Sequence, residues 1–84
     1  MSDLAPRAHA VLTHLCTSIV DNPDEVSIET NVEGDKAVRF DVTVNNDDMG
    51  RVIGRRGRVA SAIRTVVNAA GSTDGVSCKV EFVD

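Results

Sequence analysis

The chain has 84 residues, of which 42% are apolar and 2% aromatic, and its formal net charge is −4. This length allows one small domain over residues 1–84, and so few aromatic side chains predict a thin core that association with another chain would supplement. No apolar run approaches the roughly 18 residues that cross a bilayer, and no signal-peptide pattern is found, so we expect a cytoplasmic protein without membrane insertion.

The first half of the chain predicts one helix followed by a hairpin of two strands. The helix has Asp3 as its N-cap and ends at Asn22-Pro23. Its apolar face repeats at three- and four-residue intervals and comprises Leu4, Ala8, Val11, Leu12, Leu15, Ile19 and Val20. Residues 26–32 and 38–44 then alternate between apolar and polar side chains, and the turn at residues 33–36 pairs them as antiparallel strands.

The second half predicts two helices and a last strand. A short helix covers residues 49–53, with Asp47 and Asp48 as caps, and a longer one covers residues 58–70 and stops at Gly71. Val76, Cys78, Val80 and Phe82 then alternate as the last strand. The order α-β-β-α-α-β, with one apolar face on each strand, predicts an α+β fold in which three helices pack on one side of a three-stranded sheet.

The most informative segment lies between Met49 and Gly71, where the chain has five arginines and no acid. Only four of the nine bases but all thirteen acids lie elsewhere, so the remainder carries a charge of −9. Gly54 and Gly57 bracket Arg55 and Arg56. Glycines let a ligand's backbone approach the chain closely, the following helix N-terminus attracts anions, and forked guanidinium groups suit phosphate oxygens. This segment predicts a clamp for a phosphate backbone.

The apolar residues around the loop predict a groove beside the clamp. Val52, Ile53, Val59 and Ile63 can form one wall and the second strand the other, although Val52, Ile53 and Ile63 serve equally as core. A groove this narrow admits unstacked bases and excludes a duplex, so we expect a single-stranded ligand.

Catalysis is not expected. Ser61 and Thr65 lie near the arginines, but their helix contains no histidine or carboxylate to activate them. Gly57 is followed by Arg58 and a valine, and not by the lysine and hydroxyl residue of a nucleotide-binding P-loop. We therefore expect a non-catalytic protein with no metal and no cofactor.

Residues 52–63 read VIGRRGRVASAI and resemble the K-homology (KH) signature V-I-G-x-x-G-x-x-I-x-x-I, with Val59 one position before the usual isoleucine. The element order, with a helix and a strand before this core, resembles the prokaryotic type II KH domain. The whole chain is similar to the small stand-alone bacterial KH proteins of the KhpA family. Both variable loop positions are arginine, where this family often has a lysine; this keeps the charge but alters the phosphate geometry.

This resemblance implies a fold and a ligand. The loop at residues 54–57 would grip the sugar–phosphate backbone of about four nucleotides of single-stranded RNA, with bases over one wall of the groove and the second strand. Family members also form homodimers or heterodimers with a larger KH-containing protein, and are associated with cell-envelope and cell-division control. The predicted RNA-binding residues are Gly54, Arg55, Arg56, Gly57, Arg51, Arg58, Val52, Ile53 and Ile63.

Three alternatives stay open. Arg51 and Arg58 read equally as ligand contacts and as solvated helix residues, whereas Arg64, one turn further on, reads better as a surface or interface residue. The fold could serve mainly for dimerisation, through apolar residues exposed around Val66 and Ala69. Single-stranded DNA in place of RNA also fits, because nothing in the sequence recognises a 2′-hydroxyl group.

Overall fold

The computed structural model of the chain describes residues 4–53 and 57–83. The predicted Asp3 cap and the loop residues Gly54, Arg55 and Arg56 lie outside these ranges. The described elements are helix α1 (Pro6–Ile19), a short 3₁₀ helix (Pro23–Glu25), strands β1 (Ser27–Gly34) and β2 (Ala37–Thr43), helices α2 (Asn46–Ile53) and α3 (Arg58–Thr73), and strand β3 (Ser77–Val83). Apart from the 3₁₀ helix, which the sequence did not predict, the order confirms the expected α+β fold.

The described strands form one mixed sheet with β2 in the centre. β1 and β2 pair antiparallel, as the hairpin pattern predicted, and β2 and β3 pair parallel, with Phe40 opposite both Thr30 and Val80. Parallel strands need a long crossover connection, and α2 and α3 supply it. The segment that carries the arginines therefore links the central strand to an edge strand.

The core lies between the sheet and the helices, on one face of the sheet. Val38, Phe40 and Val42 of β2 are buried there, and α1 contributes Leu12 and Cys16 to the same cluster. The buried residues of α1 recur every four positions, as predicted. Of the other apolar residues predicted for that face, Val20 is buried just beyond the helix and the rest are partly buried against the core. Alternation in the strands and helical periodicity in α1 thus produce a two-layer domain.

Several helix boundaries differ from the prediction. Helix α1 ends at Ile19, before the predicted end at Asn22-Pro23, and α2 begins at Asn46 and not at residue 49. Helix α3 does not stop at Gly71 but continues to Thr73. Gly71 is buried against β3, where an added Cβ would overlap Cys78 Sγ and lie 2.9 Å from the backbone oxygen of Val76. The glycine is needed for close approach of helix and strand, and not as a helix stop. The left-handed residue after the helix is Gly75, with φ 73°.

Candidate nucleic-acid interface

Helix α2 is held in place by a buried carboxylate. Asp48 is 1% exposed and accepts hydrogen bonds from the backbone N–H groups of Asp21 and Asn22 and from Asn22 Nδ2, each at 3.1 Å. Burial by itself would raise the pKa of Asp48, but these hydrogen bonds and the nearby Arg51 outweigh it and lower that pKa. Asp48 therefore fixes α2 to the segment that follows α1, just before the loop at residues 54–57.

The sequence predicts Asp47 and Asp48 as helix caps, but the Asp48 carboxylate bonds to Asp21 and Asn22, and Asp47 donates to the capping side chain. The side chain that caps α2 belongs to Asn45, whose Oδ1 accepts a hydrogen bond from Asp47 N at 2.8 Å. The sequence offered four adjacent polar residues, 45–48, and nothing in their order distinguishes a cap from a buried tether.

Arg51 extends from α2 toward the same segment and forms an ion pair with Asp21, with Nη2 2.9 Å from Oδ2. The side chains of Arg51 and Asp21 are 58% and 65% exposed, so solvent weakens the pair. The arginine-rich stretch contains no acidic residue, but the fold brings Asp21 into contact with one of its arginines. Arg51 stays a predicted RNA contact, one that has to be shared with Asp21.

Helix α3 begins directly after the loop, with Gly57 at its N-cap position in the left-handed region, at φ 73° and ψ 15°. A residue with a side chain would be strained there. Gly57 also has no side chain to cap the first amides of α3, so they and the positive end of the helix dipole face the loop. Arg58 is exposed in that first turn. This arrangement suits an anion held by the helix N-terminus.

The predicted apolar wall divides into buried and exposed parts. Val52 and Ile63 are 0% and 4% exposed and belong to the core, whereas Ile53 is 46% exposed. Val59 turns toward α1 and, with Ile63, lines an apolar pocket of about 190 Å³ there. Of these four residues, Ile53 is therefore the one whose side chain is open to a ligand beside the loop.

The strand that lies alongside α3 is β3, and not the second strand that the sequence proposed as the other wall. Arg64 Nε donates a hydrogen bond to the backbone oxygen of Val80 at 3.0 Å, and the backbone N–H of Cys78 donates to Asn68 Oδ1 at 3.4 Å. Both contacts lie on the edge of β3 that faces away from β2. Helix α3 is therefore next to an edge strand of the sheet.

The opposite face of the sheet is acidic. Glu29, Asp41 and Glu81 lie side by side on three neighbouring strands. Two cations on neighbouring strands, Arg39 and Lys79, partly neutralise them. Arg39 Nε is 3.0 Å from Asp41 Oδ1 and its Nη1 is 3.0 Å from Glu33 Oε2. The carboxylates outnumber the cations on this face, which makes it unfavourable for a polyanion.

Across residues 4–53 and 57–83, no group of histidine, cysteine and carboxylate side chains is arranged to hold a metal ion. Over the same part of the chain, no helix has the length and apolar character to span a membrane.

Comparison with known proteins identifies the family. The family model described as KhpA/KhpB, KH domain, matches residues 9–82. Proteins named RNA-binding protein KhpA are similar to this chain: one from Streptomyces coelicolor is 46% identical over 87% of each chain, and one from Listeria monocytogenes is 42% identical over 79% of this chain and 86% of its own. A third, from Clostridium acetobutylicum, is 40% identical over 87% of this chain and 96% of its own. The chain therefore belongs to the KhpA/KhpB family of KH domains.

Proposed function

We propose that this protein binds single-stranded RNA without catalysis, gripping about four nucleotides by their sugar–phosphate backbone at residues 54–57. Its relatives carry the name RNA-binding protein, and the family model covers most of the chain. RNA binding by a KH domain uses a G-x-x-G loop on the nucleotide backbone, and Gly54 and Gly57 provide that spacing here.

The observation that carries this proposal is the start of α3. Gly57 adopts a left-handed conformation, leaves the first amides of the helix without a side-chain cap, and is followed by the exposed Arg58. Backbone N–H groups, the helix dipole and arginine side chains together attract a phosphate. The excess of carboxylates on the opposite face of the sheet makes that side of the domain less favourable for the same ligand.

Charge reversal in the loop tests the clamp. Replacing Arg55 and Arg56 with Asp should abolish binding of a short single-stranded RNA, measured by fluorescence anisotropy, because the phosphates would then meet two negative charges. The matched control replaces Arg7 and Lys36 with Asp, which changes the net charge equally at exposed positions outside the loop. RNA binding by the loop variant at wild-type affinity would show that the clamp is elsewhere.

Salt dependence gives a quantitative form of the same test. Each phosphate neutralised on a single strand contributes about 0.7 to the slope of log K against log salt concentration. Replacing Arg55 and Arg56 with Gln should therefore reduce that slope by roughly 1.4, twice the single-contact value. Matched RNA and DNA oligonucleotides, titrated in parallel, determine whether the 2′-hydroxyl group contributes.

A second candidate function is assembly, and the apolar pocket between α1 and α3 favours it. Its lining consists of Leu15, Ile19, Val59, Ala62, Ile63 and Val66, with no polar surface. Val66 is 46% exposed at its rim. An exposed apolar side chain beside an apolar pocket is typical of a protein interface. We propose that a second copy of this chain, or a larger KH-containing protein, packs here.

The assembly candidate is tested by Val66→Asp. If the pocket is the homodimer interface, light scattering should give a dimer for the wild type and a monomer for the variant, because a carboxylate cannot be buried there unpaired. Thr65→Asp is the matched control, since Thr65 is exposed on the same helix and does not line the pocket. A dimer that survives Val66→Asp would show that the pocket is not that interface.

A further inference from the structure

Helix α3 and strand β3 lie side by side and contact each other at regular intervals. Arg64 contacts the backbone of Val80, and Asn68, four residues later in α3, contacts Cys78, two residues earlier in β3. Four helical residues advance about 6 Å and two strand residues about 6.6 Å, so the two elements stay in register and run antiparallel. Moving four residues toward the start of α3 corresponds to moving two residues further along β3, from Val80 to Phe82. Phe82 therefore lies near the end of α3 that follows the loop.

Arg64 lies on the face of α3 that points along this edge. It follows Gly57 by seven residues, which is close to two full turns, so both residues share a face and are about 10.5 Å apart along the axis. The guanidinium carbon of Arg64 lies 5.7 Å from the centre of the Phe82 ring, which is half-buried. Gly57, the Phe82 ring and the Arg64 guanidinium thus lie along one side of α3.

The guanidinium of Arg64 is held but not neutralised. Its Nε is used by the Val80 oxygen, and the Phe82 ring supports one of its faces. Within the described part of the chain, Arg7, Arg39 and Arg51 each have a carboxylate partner and Arg64 has none. The side that carries Nη1 and Nη2 is therefore oriented in advance for a ligand with two neighbouring acceptors.

We infer that Arg64 reads a base of the bound strand and prefers one with two adjacent hydrogen-bond acceptors on one edge. This inference rests on the proposed RNA-binding function. Guanine offers O6 and N7, and cytosine offers O2 and N3. Neither adenine nor uracil has two adjacent acceptors on an exposed edge, because the neighbour of each acceptor is a donor or a C–H group. Bases of single-stranded RNA are splayed out and readable on such edges, and a guanidinium plane also stacks on them.

The test measures base preference and RNA binding separately. An end-labelled oligouridine, and versions with one guanine, cytosine or adenine at each position in turn, are titrated with wild type, Arg64→Lys and Arg7→Lys. Wild type and Arg7→Lys should prefer guanine or cytosine at one position by about tenfold. Arg64→Lys keeps the charge but not the forked guanidinium, so its base preference, measured relative to its own affinity for oligouridine, should fall to under about threefold.

Two further arms sharpen the assignment. If guanine is preferred, 7-deazaguanine should lose the preference, because it lacks N7; if cytosine is preferred, that substitution should have no effect. Phe82→Leu keeps the apolar contact but removes the ring below the guanidinium, so it should weaken the preference less than Arg64→Lys does.

The possible outcomes distinguish failure of the role of Arg64 from failure of the proposed RNA-binding function. RNA binding by wild type with no base preference at any position would overturn the role of Arg64 and leave RNA binding intact. A base preference that persists in a folded Arg64→Lys variant would also overturn the role of Arg64 and leave RNA binding intact. If wild type binds none of the oligonucleotides, both the proposed function and the role of Arg64 are wrong.

Discussion

The close packing of α3 on β3 depends on Gly71, and Gly71→Ala tests it. Within a helix, alanine is favoured over glycine by about 1 kcal/mol. At this position the new Cβ would overlap Cys78 Sγ and lie 2.9 Å from a backbone oxygen of Val76. Neither neighbour can yield easily, because Cys78 is buried and the Val76 oxygen belongs to the main chain. Overpacking of this kind costs about 1–3 kcal/mol.

Gly50→Ala is the matched control, because Gly50 lies in α2 with nothing within 4 Å of its ideal Cβ position. It gains the same helix propensity without the clash, so we expect it to stabilise the protein by up to about 1 kcal/mol. The difference between the two variants isolates the steric cost, about 1–3 kcal/mol. For a domain of this size each kcal/mol changes Tm by roughly 4–8 °C.

Thermal unfolding followed by far-ultraviolet circular dichroism measures both variants, since the chain has no tryptophan or tyrosine for fluorescence. Combining Gly71→Ala with Cys78→Ala removes the overlapping sulfur and should recover part of the loss, leaving the cost of the Val76 contact. Equal stability of Gly71→Ala and Gly50→Ala would refute the close approach of helix and strand.

Two other predictions concern titratable groups. The lowered pKa of Asp48 stabilises the fold above the unfolded-state pKa near 3.8, and this stability is lost as the pH falls through the folded-state pKa. Asp48→Asn should therefore be less stable than wild type at pH 7, with the gap narrowing below about pH 4; a gap that does not change with pH would contradict the role of the carboxylate. Burial raises the pKa of Cys16 to about 11, so a disulfide reagent at pH 8 should modify it only after unfolding in urea, and modification at the same rate without urea would show that it is exposed.

Periodicity and alternation in the sequence were sufficient to predict the fold, because these patterns reflect which face of each element is buried. Boundaries were less accurate where one residue type serves two purposes. Gly71 follows the last apolar residue of α3, and a glycine there predicts a helix end. Its actual role depends on Cys78 and Val76, which are adjacent only after β3 packs against the helix.

In the candidate site too, the features that depend on local sequence could be predicted, and those that depend on tertiary contacts could not. The loop glycines and arginines form a local pattern, so the sequence was enough to select them, although Gly54, Arg55 and Arg56 stay predictions. The contact of Arg64 with β3 joins residues sixteen positions apart, and no spacing rule within α3 indicates it. Hydropathy likewise could not separate the buried Val52 from the exposed Ile53, since both are apolar and adjacent.

The distribution of charge is the feature for which the structure differs most from the expectation based on the sequence. Five arginines in an acid-free stretch suggest a broad basic surface, but Arg51 pairs with Asp21 and Arg64 is bound to the backbone of β3. The side chain of Arg64 keeps its charge but is held on β3, so under the proposed function Arg58 and the predicted loop pair, Arg55 and Arg56, are the main phosphate contacts. Because affinity for a single strand rises with each neutralised phosphate, so few contacts give weak binding with a shallow salt dependence, a slope of roughly 2 for three contacts. Linking two such sites in a dimer raises the effective concentration of the second site, which makes assembly the physical route by which so acidic a protein could hold RNA firmly.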